Sequence, residues 1–147
     1  MSIRLYLDAA ALVSLYVPED TTAAAESLVA GEMEVAVSSL TLLETQVALE
    51  RKRKAGGMTA GAVTAVRVRI EADVSAQRLR RHAIEDGDYY GADVISQQVP
   101  GPIRSLDALH AAVAKRLGLE LVTLDRRLHE AAHAAGIPTR WMGVGEK

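Results

Sequence analysis

The sequence predicts an α/β domain in which helices flank a central, mostly parallel sheet of about five strands. Short apolar segments alternate along the chain with longer segments of helical periodicity, and strands separated by helices pair in parallel through crossovers. The length of 147 residues suits one domain, residues 1–147, with its own core. The absence of cysteine excludes disulfides, thiolate metal sites and cysteine nucleophiles.

In the first half of the chain, proline and glycine residues mark the ends of the predicted helices. Pro18 ends the first helix because proline lacks the N–H that a helix needs, Gly31 closes the second, and Gly56 with Gly57 stops the third. The fourth helix keeps the helical spacing although its valines lower helix propensity. The predicted elements are strand 3–7, the short helix ending at Pro18, helix 21–30, strand 34–38, helix 40–54 and helix 59–81.

The second half continues the alternation of strands and helices. The Pro100-Gly101-Pro102 loop ends one helix, and Gly118 and Gly136 follow two others at the position where glycine often adopts the left-handed conformation. The predicted elements are strand 82–85, helix 88–98, helix 105–117, strand 120–124, helix 126–135 and strand 139–142.

Charge is distributed unevenly although the net charge is only -2. Residues 1–50 carry eight acidic residues and one basic residue, whereas residues 51–81 carry two acidic and nine basic residues. Hydrophobic residues make up 49%, but no apolar run approaches the roughly 18 residues that a membrane helix needs. We therefore expect a cytoplasmic protein with no membrane segment or signal peptide.

Three aspartates are predicted to meet at one edge of the sheet. Asp8 and Asp125 each follow a strand directly, and Asp107 lies in the first turn of the helix that leads into the strand before Asp125. Ligands of open parallel sheets bind beyond the carboxyl ends of the strands, and a right-handed crossover returns the Asp107 turn to that edge. Helix capping is the alternative role for each aspartate taken singly.

Glu44 is harder to explain as a structural residue. It lies one and a half turns into its helix and within the arc of Leu40, Leu43 and Val47, which we expect to face the core. An unpaired charge there would cost on the order of several kcal/mol. No lysine or arginine is obviously placed to neutralise the four acids, whereas a hard divalent cation takes oxygen ligands. The four acids therefore predict a metal site, while His110 is expected to be a core histidine that has a hydrogen-bond partner and no chemical role.

Four motifs resemble those of the PIN-domain nucleases and, within them, the VapC-type toxin ribonucleases of toxin–antitoxin pairs. The motifs span nearly the whole chain and comprise residues 6–19, 38–44, 105–112 and 122–128. The resemblance implies RNA hydrolysis by a metal-activated water, with a 3′ hydroxyl as leaving group and Mg²⁺ or Mn²⁺ as cofactor. The catalytic and metal-binding residues that it implies are Asp8, Glu44, Asp107 and Asp125.

One departure from the family pattern affects the surroundings of the first aspartate. Many relatives carry a serine or threonine shortly after it, whereas here residues 9–11 are all alanine. Thr123 is the candidate auxiliary residue, because the period-two alternation of a strand places it on the same face as Asp125.

The substrate and partner surfaces are predicted from charge and apolar patterning. Arg126 and Arg127 directly follow a predicted metal ligand, and Arg51 and Lys52 begin a basic run, so these four are candidate RNA contacts. The group Arg78, Arg80 and Arg81 is another candidate, although basic helix faces are often simply solvated. The resemblance implies an antitoxin that covers the acidic site and a homodimer. Leu42 and Leu49, on the helix face opposite Leu40, favour a partner surface or a deeper core.

Two alternative functions are also compatible with the sequence. His129, Glu130 and His133 match the H-E-x-x-H pattern of zinc peptidases. However, Thr139 stands where the longer form of that motif has a third histidine, and only Glu146 remains as a downstream acid. An exposed final helix capped by Gly136 explains the pattern without a metal and is the favoured interpretation. The second alternative is a catalytically inactive, nuclease-like binding module, since Ala10 offers no helper hydroxyl.

Overall fold

Five parallel strands form the central sheet of this chain, in a computed structural model that describes residues 4–30 and 34–143. The strand order is β3-β2-β1-β4-β5, and every pairing is parallel, so the predicted fold class is confirmed. The strands are β1 (Arg4–Leu7), β2 (Glu34–Ser38), β3 (Arg80–His82), β4 (Glu120–Thr123) and β5 (Thr139–Trp141).

The described part of the chain contains seven helices, which cover both faces of the sheet. Alternating residues of β1 point to opposite faces, as the period of a strand requires. Leu5 and Leu7 pack with the first core, against α1, α2, α3 and α4, whereas Tyr6 packs with the second, against α5, α6 and α7. The helices are α1 (Ala9–Tyr16), α2 (Thr22–Val29), α3 (Ser39–Lys54), α4 (Ala60–Ser75), α5 (Asp86–Gln98), α6 (Ser105–Leu117) and α7 (Arg126–Ala134).

Most predicted helix ends agree with the structure to within two residues. Gly118 and Gly136 have φ of +68° and +77°, so both adopt the left-handed conformation predicted for them. Ile3 and Gly31, which were expected to start a strand and to close a helix, lie outside the described residues. None of the helices in ranges 4–30 and 34–143 combines the length and hydropathy that crossing a bilayer would require.

The predicted boundary between helix 59–81 and strand 82–85 is wrong. Helix α4 ends at Ser75, and β3 begins at Arg80. Gln77 adopts a positive φ of +64°, and the N–H groups of Arg78 and Leu79 donate to the carbonyl of Asp73. A glutamine therefore closes this helix in the conformation that glycine usually supplies, and no sequence signal marked the end.

The predicted inward face of α3 is also wrong. Its buried residues are Thr41, Thr45 and Leu49, whereas Leu43 is 61% exposed and Val47 is 42% exposed. The Thr41 hydroxyl turns inward because it donates to the carbonyl of Leu7 at the end of β1. Leu49 is fully buried, and Leu42 packs against the same core, so these two belong to a deeper core and not to a partner surface.

Candidate active site

The four predicted acids line one cavity of about 400 Å³ at the carboxyl edge of the sheet. Asp8 caps α1 directly after β1, and Asp125 caps α7 just beyond β4, which is the strand adjacent to β1. Asp107 lies in the first turn of α6, and Glu44 lies in α3. Carboxylates from distant parts of the chain therefore face the same space.

Asp8 is buried, with only 7% of its surface exposed. Its Oδ1 accepts the N–H of Ala11 at 2.9 Å, and its carboxylate is also hydrogen-bonded by the side chain of Thr123. Burial raises the pKa of Asp8, and the negative charge of Glu44 adds to this effect. Asp8 therefore caps a helix and also lies where its negative charge is disfavoured.

Thr123 connects two of the acids. It is fully buried, its hydroxyl oxygen accepts the N–H of Asp125 at 2.9 Å, and its side chain reaches the carboxylate of Asp8. Asp125 Oδ1 accepts the N–H of Arg127 at 2.9 Å. Thr123 on β4 therefore brings a hydroxyl to Asp8, where residues 9–11 offer none.

Asp107 is half-buried between the other aspartates. Burial raises the pKa of its carboxyl, and the negative charges of Asp125 and Asp8 raise it further. Among the described residues, no lysine or arginine forms an ion pair with Asp8, Asp107 or Asp125. Within residues 4–30 and 34–143, these three aspartates therefore repel one another without a directly paired lysine or arginine.

Glu44 has a partner that the sequence did not reveal. Its Oε1 lies 2.5 Å from Nε2 of His110, which is only 2% exposed and also lines the cavity. His110 was expected in the core without a role; it is buried, but its ring edge contacts the acidic site. Its position three residues after Asp107, one helical turn away, was the signal that could have identified it.

The donor chemistry of the cavity fits a hard divalent cation, since Mg²⁺ and Mn²⁺ favour oxygen ligands. Within residues 4–30 and 34–143, however, no three histidine, aspartate or glutamate side chains already form a closed ligand group. In three of the acids, one carboxylate oxygen is already hydrogen-bonded. Glu44 is bonded to His110, Asp8 accepts the N–H of Ala11, and Asp125 accepts the N–H of Arg127.

Basic residues border the acidic cavity on two sides. Arg51 and Lys52 line the cavity itself. A second cavity of about 580 Å³ shares Asp107 and Asp125 with it and is lined by Arg104, Arg126 and Arg127. The four residues predicted as RNA contacts thus lie next to the acids. Arg104, which the sequence did not single out, lies beside them in the second cavity. By contrast, Arg78 pairs with Asp73 at 2.8 Å, next to a different cavity.

The H-E-x-x-H residues have other contacts. His129 Nδ1 lies 3.2 Å from the hydroxyl of Thr139, and Glu130 pairs with Arg126 at 3.3 Å. His133 is exposed, and in the part of the chain that the structure describes no group of three metal-binding side chains includes it. Glu146 lies outside the described residues.

Comparison with solved structures identifies several similar folds. VapC20 of Mycobacterium tuberculosis, described as a sarcin-ricin loop cleaving toxin, superposes with a TM-score of 0.67 at 19% identity, covering 90% of this chain and 95% of that one. VapBC2 of Rickettsia felis, bound to a promoter DNA fragment, gives 0.66 at 17%, covering 94% and 98%. DNA-bound VapBC of Salmonella typhimurium gives 0.63 at 19%, covering 95% and 98%. At these identities the similarity shows the fold.

The family of this chain is identified from its sequence. No curated protein matches the chain significantly. The family model described as the PIN domain matches residues 5–134, which include all four acids and, apart from Arg4, the strands β1 to β4. This chain therefore belongs to the PIN-domain family.

Proposed function

We propose that this protein is a divalent-metal-dependent endoribonuclease and the toxin of a type II toxin–antitoxin system. The observation that carries the proposal is the single cavity lined by Asp8, Glu44, Asp107 and Asp125, in which three of the four acids have no basic partner among the described residues. RNA as the substrate is suggested by similarity to VapC20, which is a sarcin-ricin loop cleaving toxin.

The four acids are the residues that would hold Mg²⁺ or Mn²⁺, which when bound lowers the pKa of a water molecule and stabilises charge on a phosphate. The protein's own contribution is to fix the acids. Thr123 links Asp8 to the backbone of Asp125, and the N–H of Ala11 donates to Asp8 Oδ1. These contacts keep two carboxylates from different strands next to each other.

The RNA backbone is proposed to cross the cavity between its two basic borders. Four carboxylates repel a polyanion, so phosphates need cations close to the acids for binding. Arg51 and Lys52 supply them on one side, and Arg104, Arg126 and Arg127 supply them around the adjoining cavity. Because backbone contacts position the substrate without reading its bases, these residues should determine affinity more than sequence preference.

Two protein partners are proposed. An antitoxin would cover the acidic cavity, for which the similar VapBC complexes are the support. Leu43 and Val47 are exposed on α3 beside Glu44 and give such a partner apolar contacts. A second copy of the chain would cover the exposed apolar residues of α5 and α6, which are Tyr89, Tyr90, Val94 and Leu106.

The test is RNA cleavage by purified protein with Mg²⁺ or Mn²⁺. We expect Asp8→Asn and Asp125→Asn each to reduce cleavage by more than about 100-fold, because loss of even an outer-shell contact typically costs 10–100-fold. Chelation with EDTA should abolish cleavage. Asp93→Asn, on the exposed face of α5, is the matched control and should cleave normally.

Undiminished cleavage by Asp8→Asn and Asp125→Asn would contradict the proposal. Mn²⁺ binding by wild-type protein without cleavage of any RNA would favour the inactive binding module. A zinc-dependent peptidase activity that is lost in His129→Ala but retained in Asp8→Asn would favour the peptidase. The structure does not favour it, because the neighbour of His129 Nδ1 is the hydroxyl of Thr139.

A further inference from the structure

A chain of buried polar side chains leads from the second strand to the acidic cavity. The hydroxyl oxygens of Ser38 and Tyr6 are 2.7 Å apart, and the Tyr6 hydroxyl lies 2.7 Å from Nδ1 of His110. Nε2 of His110 then lies 2.5 Å from Oε1 of Glu44. Ser38 and Tyr6 are fully buried, and His110 is 2% exposed. This chain, from Ser38 to Glu44, is called the Glu44 relay below.

The Glu44 relay is attached to the ends of β1 and β2. The Thr41 hydroxyl donates to the carbonyl of Leu7 at 3.0 Å, directly before Asp8, and lies 3.3 Å from the Tyr6 hydroxyl. The backbone N–H of Thr41 donates to Ser38 Oγ at 3.1 Å. The relay therefore has a fixed position relative to the first aspartate of the site.

Every proton in the Glu44 relay has an assigned place when His110 is neutral. A carboxylate can only accept, so Nε2–H donates to Glu44, and Nδ1 accepts the Tyr6 hydroxyl proton. Because the Tyr6 proton goes to His110, Ser38 is the donor in its bond to the Tyr6 oxygen, while Ser38 Oγ also accepts the N–H of Thr41. Burial raises the pKa of Tyr6 to about 12, which keeps the tyrosine protonated as this arrangement needs.

Burying polar side chains costs free energy unless they are hydrogen-bonded, and apolar residues of similar size would fill the same space without needing such bonds. Tyr6 lies in the second hydrophobic core, where phenylalanine would fill nearly the same volume. Two residues of the Glu44 relay, His110 and Glu44, line the cavity, and Glu44 is the one that carries a carboxylate. The relay thus orders one acid of the site, in addition to any effect on the core.

We propose that His110 and Tyr6 are positioning residues for Glu44: they fix one carboxylate oxygen and so direct the other into the acidic cavity. The inference rests on the proposed function, since it makes Glu44 part of the metal-binding set. His110 touches no substrate in this scheme. It acts as the outer-shell partner of a ligand, and partners of this kind are typically worth 10–100-fold in metal affinity or activity.

Two substitutions at position 110 separate positioning from packing. The side-chain amide of Gln reaches about as far as Nε2 and can donate to Glu44, whereas that of Asn reaches only about as far as Nδ1. Both replace the ring by an uncharged amide. We expect His110→Asn to weaken Mn²⁺ binding by about 10-fold or more and to lower kcat, with KM for RNA unchanged, whereas His110→Gln retains most of both. Tyr6→Phe should fall between them.

Mn²⁺ affinity is measured by isothermal titration calorimetry without RNA, and the free energy of unfolding by urea is measured for each variant. In a Glu44→Gln background, His110→Asn should have no further effect on Mn²⁺ affinity, because the group it positions is already lost. Equal losses in His110→Gln and His110→Asn, or an undiminished effect of His110→Asn in the Glu44→Gln background, would overturn the inference. Normal cleavage by Asp8→Asn would instead refute the proposed function, so the two failures are distinguishable.

Discussion

Asp8 and Asp88 are both buried aspartates, yet their surroundings differ in one decisive respect. Asp8 is 7% exposed and Asp88 is 2% exposed. Arg116 donates to both carboxylate oxygens of Asp88, at 2.7 and 2.9 Å, and the N–H of Glu85 donates to it at 2.8 Å. Asp8 accepts from Ala11 and is hydrogen-bonded by Thr123, but within the described residues no basic side chain pairs with it.

The pKa directions follow from this difference. Burial alone would raise the pKa of Asp88, but the bonds from Arg116 and from the Glu85 N–H outweigh it and lower the pKa. Burial also raises the pKa of Asp8, and there the opposing hydrogen bonds are too weak to reverse it. A bidentate guanidinium makes a buried carboxylate part of the framework, whereas a carboxylate without one retains its capacity to bind a cation.

The two aspartates also lie in different parts of the fold. Asp88 and Arg116 connect α5 to α6, two helices that pack over one face of the sheet. Asp8 lies at the carboxyl edge of the strands, where open parallel sheets place their ligand sites. The chain thus compensates charge where helices must be held together and leaves it uncompensated where we propose that chemistry occurs.

Removing the arginine of the framework pair should have the largest effect on stability. Arg116→Met leaves the buried carboxylate of Asp88 without its cation, and breaking a buried pair in this way typically costs about 3–5 kcal/mol. We expect a loss of about 3 kcal/mol in the free energy of unfolding, measured by urea denaturation. A loss below about 1 kcal/mol would show that Asp88 is solvated after all and that its contrast with Asp8 is not one of charge compensation.

The double variant Asp88→Asn/Arg116→Met is the control for this experiment. It removes the buried charge together with its partner, so it should be more stable than Arg116→Met alone. If the double variant is as unstable as the single one, the loss arises from the packing of the arginine stem and not from the uncompensated carboxylate.

The convergence of the acids was predictable because it depends on local patterns. Asp8 and Asp125 directly follow recognisable strands, and the handedness of the crossover places Asp107 beside them. The parallel sheet itself follows from the alternation of strands and helices. These positions follow from where the strands end and from the handedness of the crossover, and they do not depend on which side chains touch.

Features that depend on side-chain partners were not predictable. Helix α4 ends through Gln77 in a conformation that glutamine rarely adopts. Thr41 and Thr45 face the core of α3, while the more hydrophobic Leu43 is exposed, because the Thr41 hydroxyl bonds to β1. The role of His110 depends on contacts to β1 and α3 together. In each case long-range contacts override the local pattern.

The stability contribution of Asp88 should depend on pH in a definite direction. Its pKa in the folded protein is lowered, so its contribution is present above the unfolded pKa of about 3.9 and is lost as pH falls through the folded value. We expect the stability difference between wild type and Asp88→Asn/Arg116→Met to be constant from pH 7 to about pH 5 and to shrink in more acidic solution. Urea denaturation at a series of pH values measures it, and a difference that does not change down to pH 2 would contradict the lowered pKa.

The smallest effect is expected on the free energy of unfolding when the same substitution is made at either aspartate. The measurement is made in EDTA so that divalent ions are absent. Asparagine at position 8 still offers an oxygen to the Ala11 N–H and is an equally good helix cap, but it removes a buried charge that repels Glu44. We expect Asp8→Asn to stabilise the protein by about 1 kcal/mol, a size common for changes that relieve functional strain. Asp88→Asn should destabilise it, because it discards the charge-assisted bonds from Arg116. Urea denaturation of both variants measures the two signs, and destabilisation by Asp8→Asn to the same extent as by Asp88→Asn would mean that both aspartates belong to the framework.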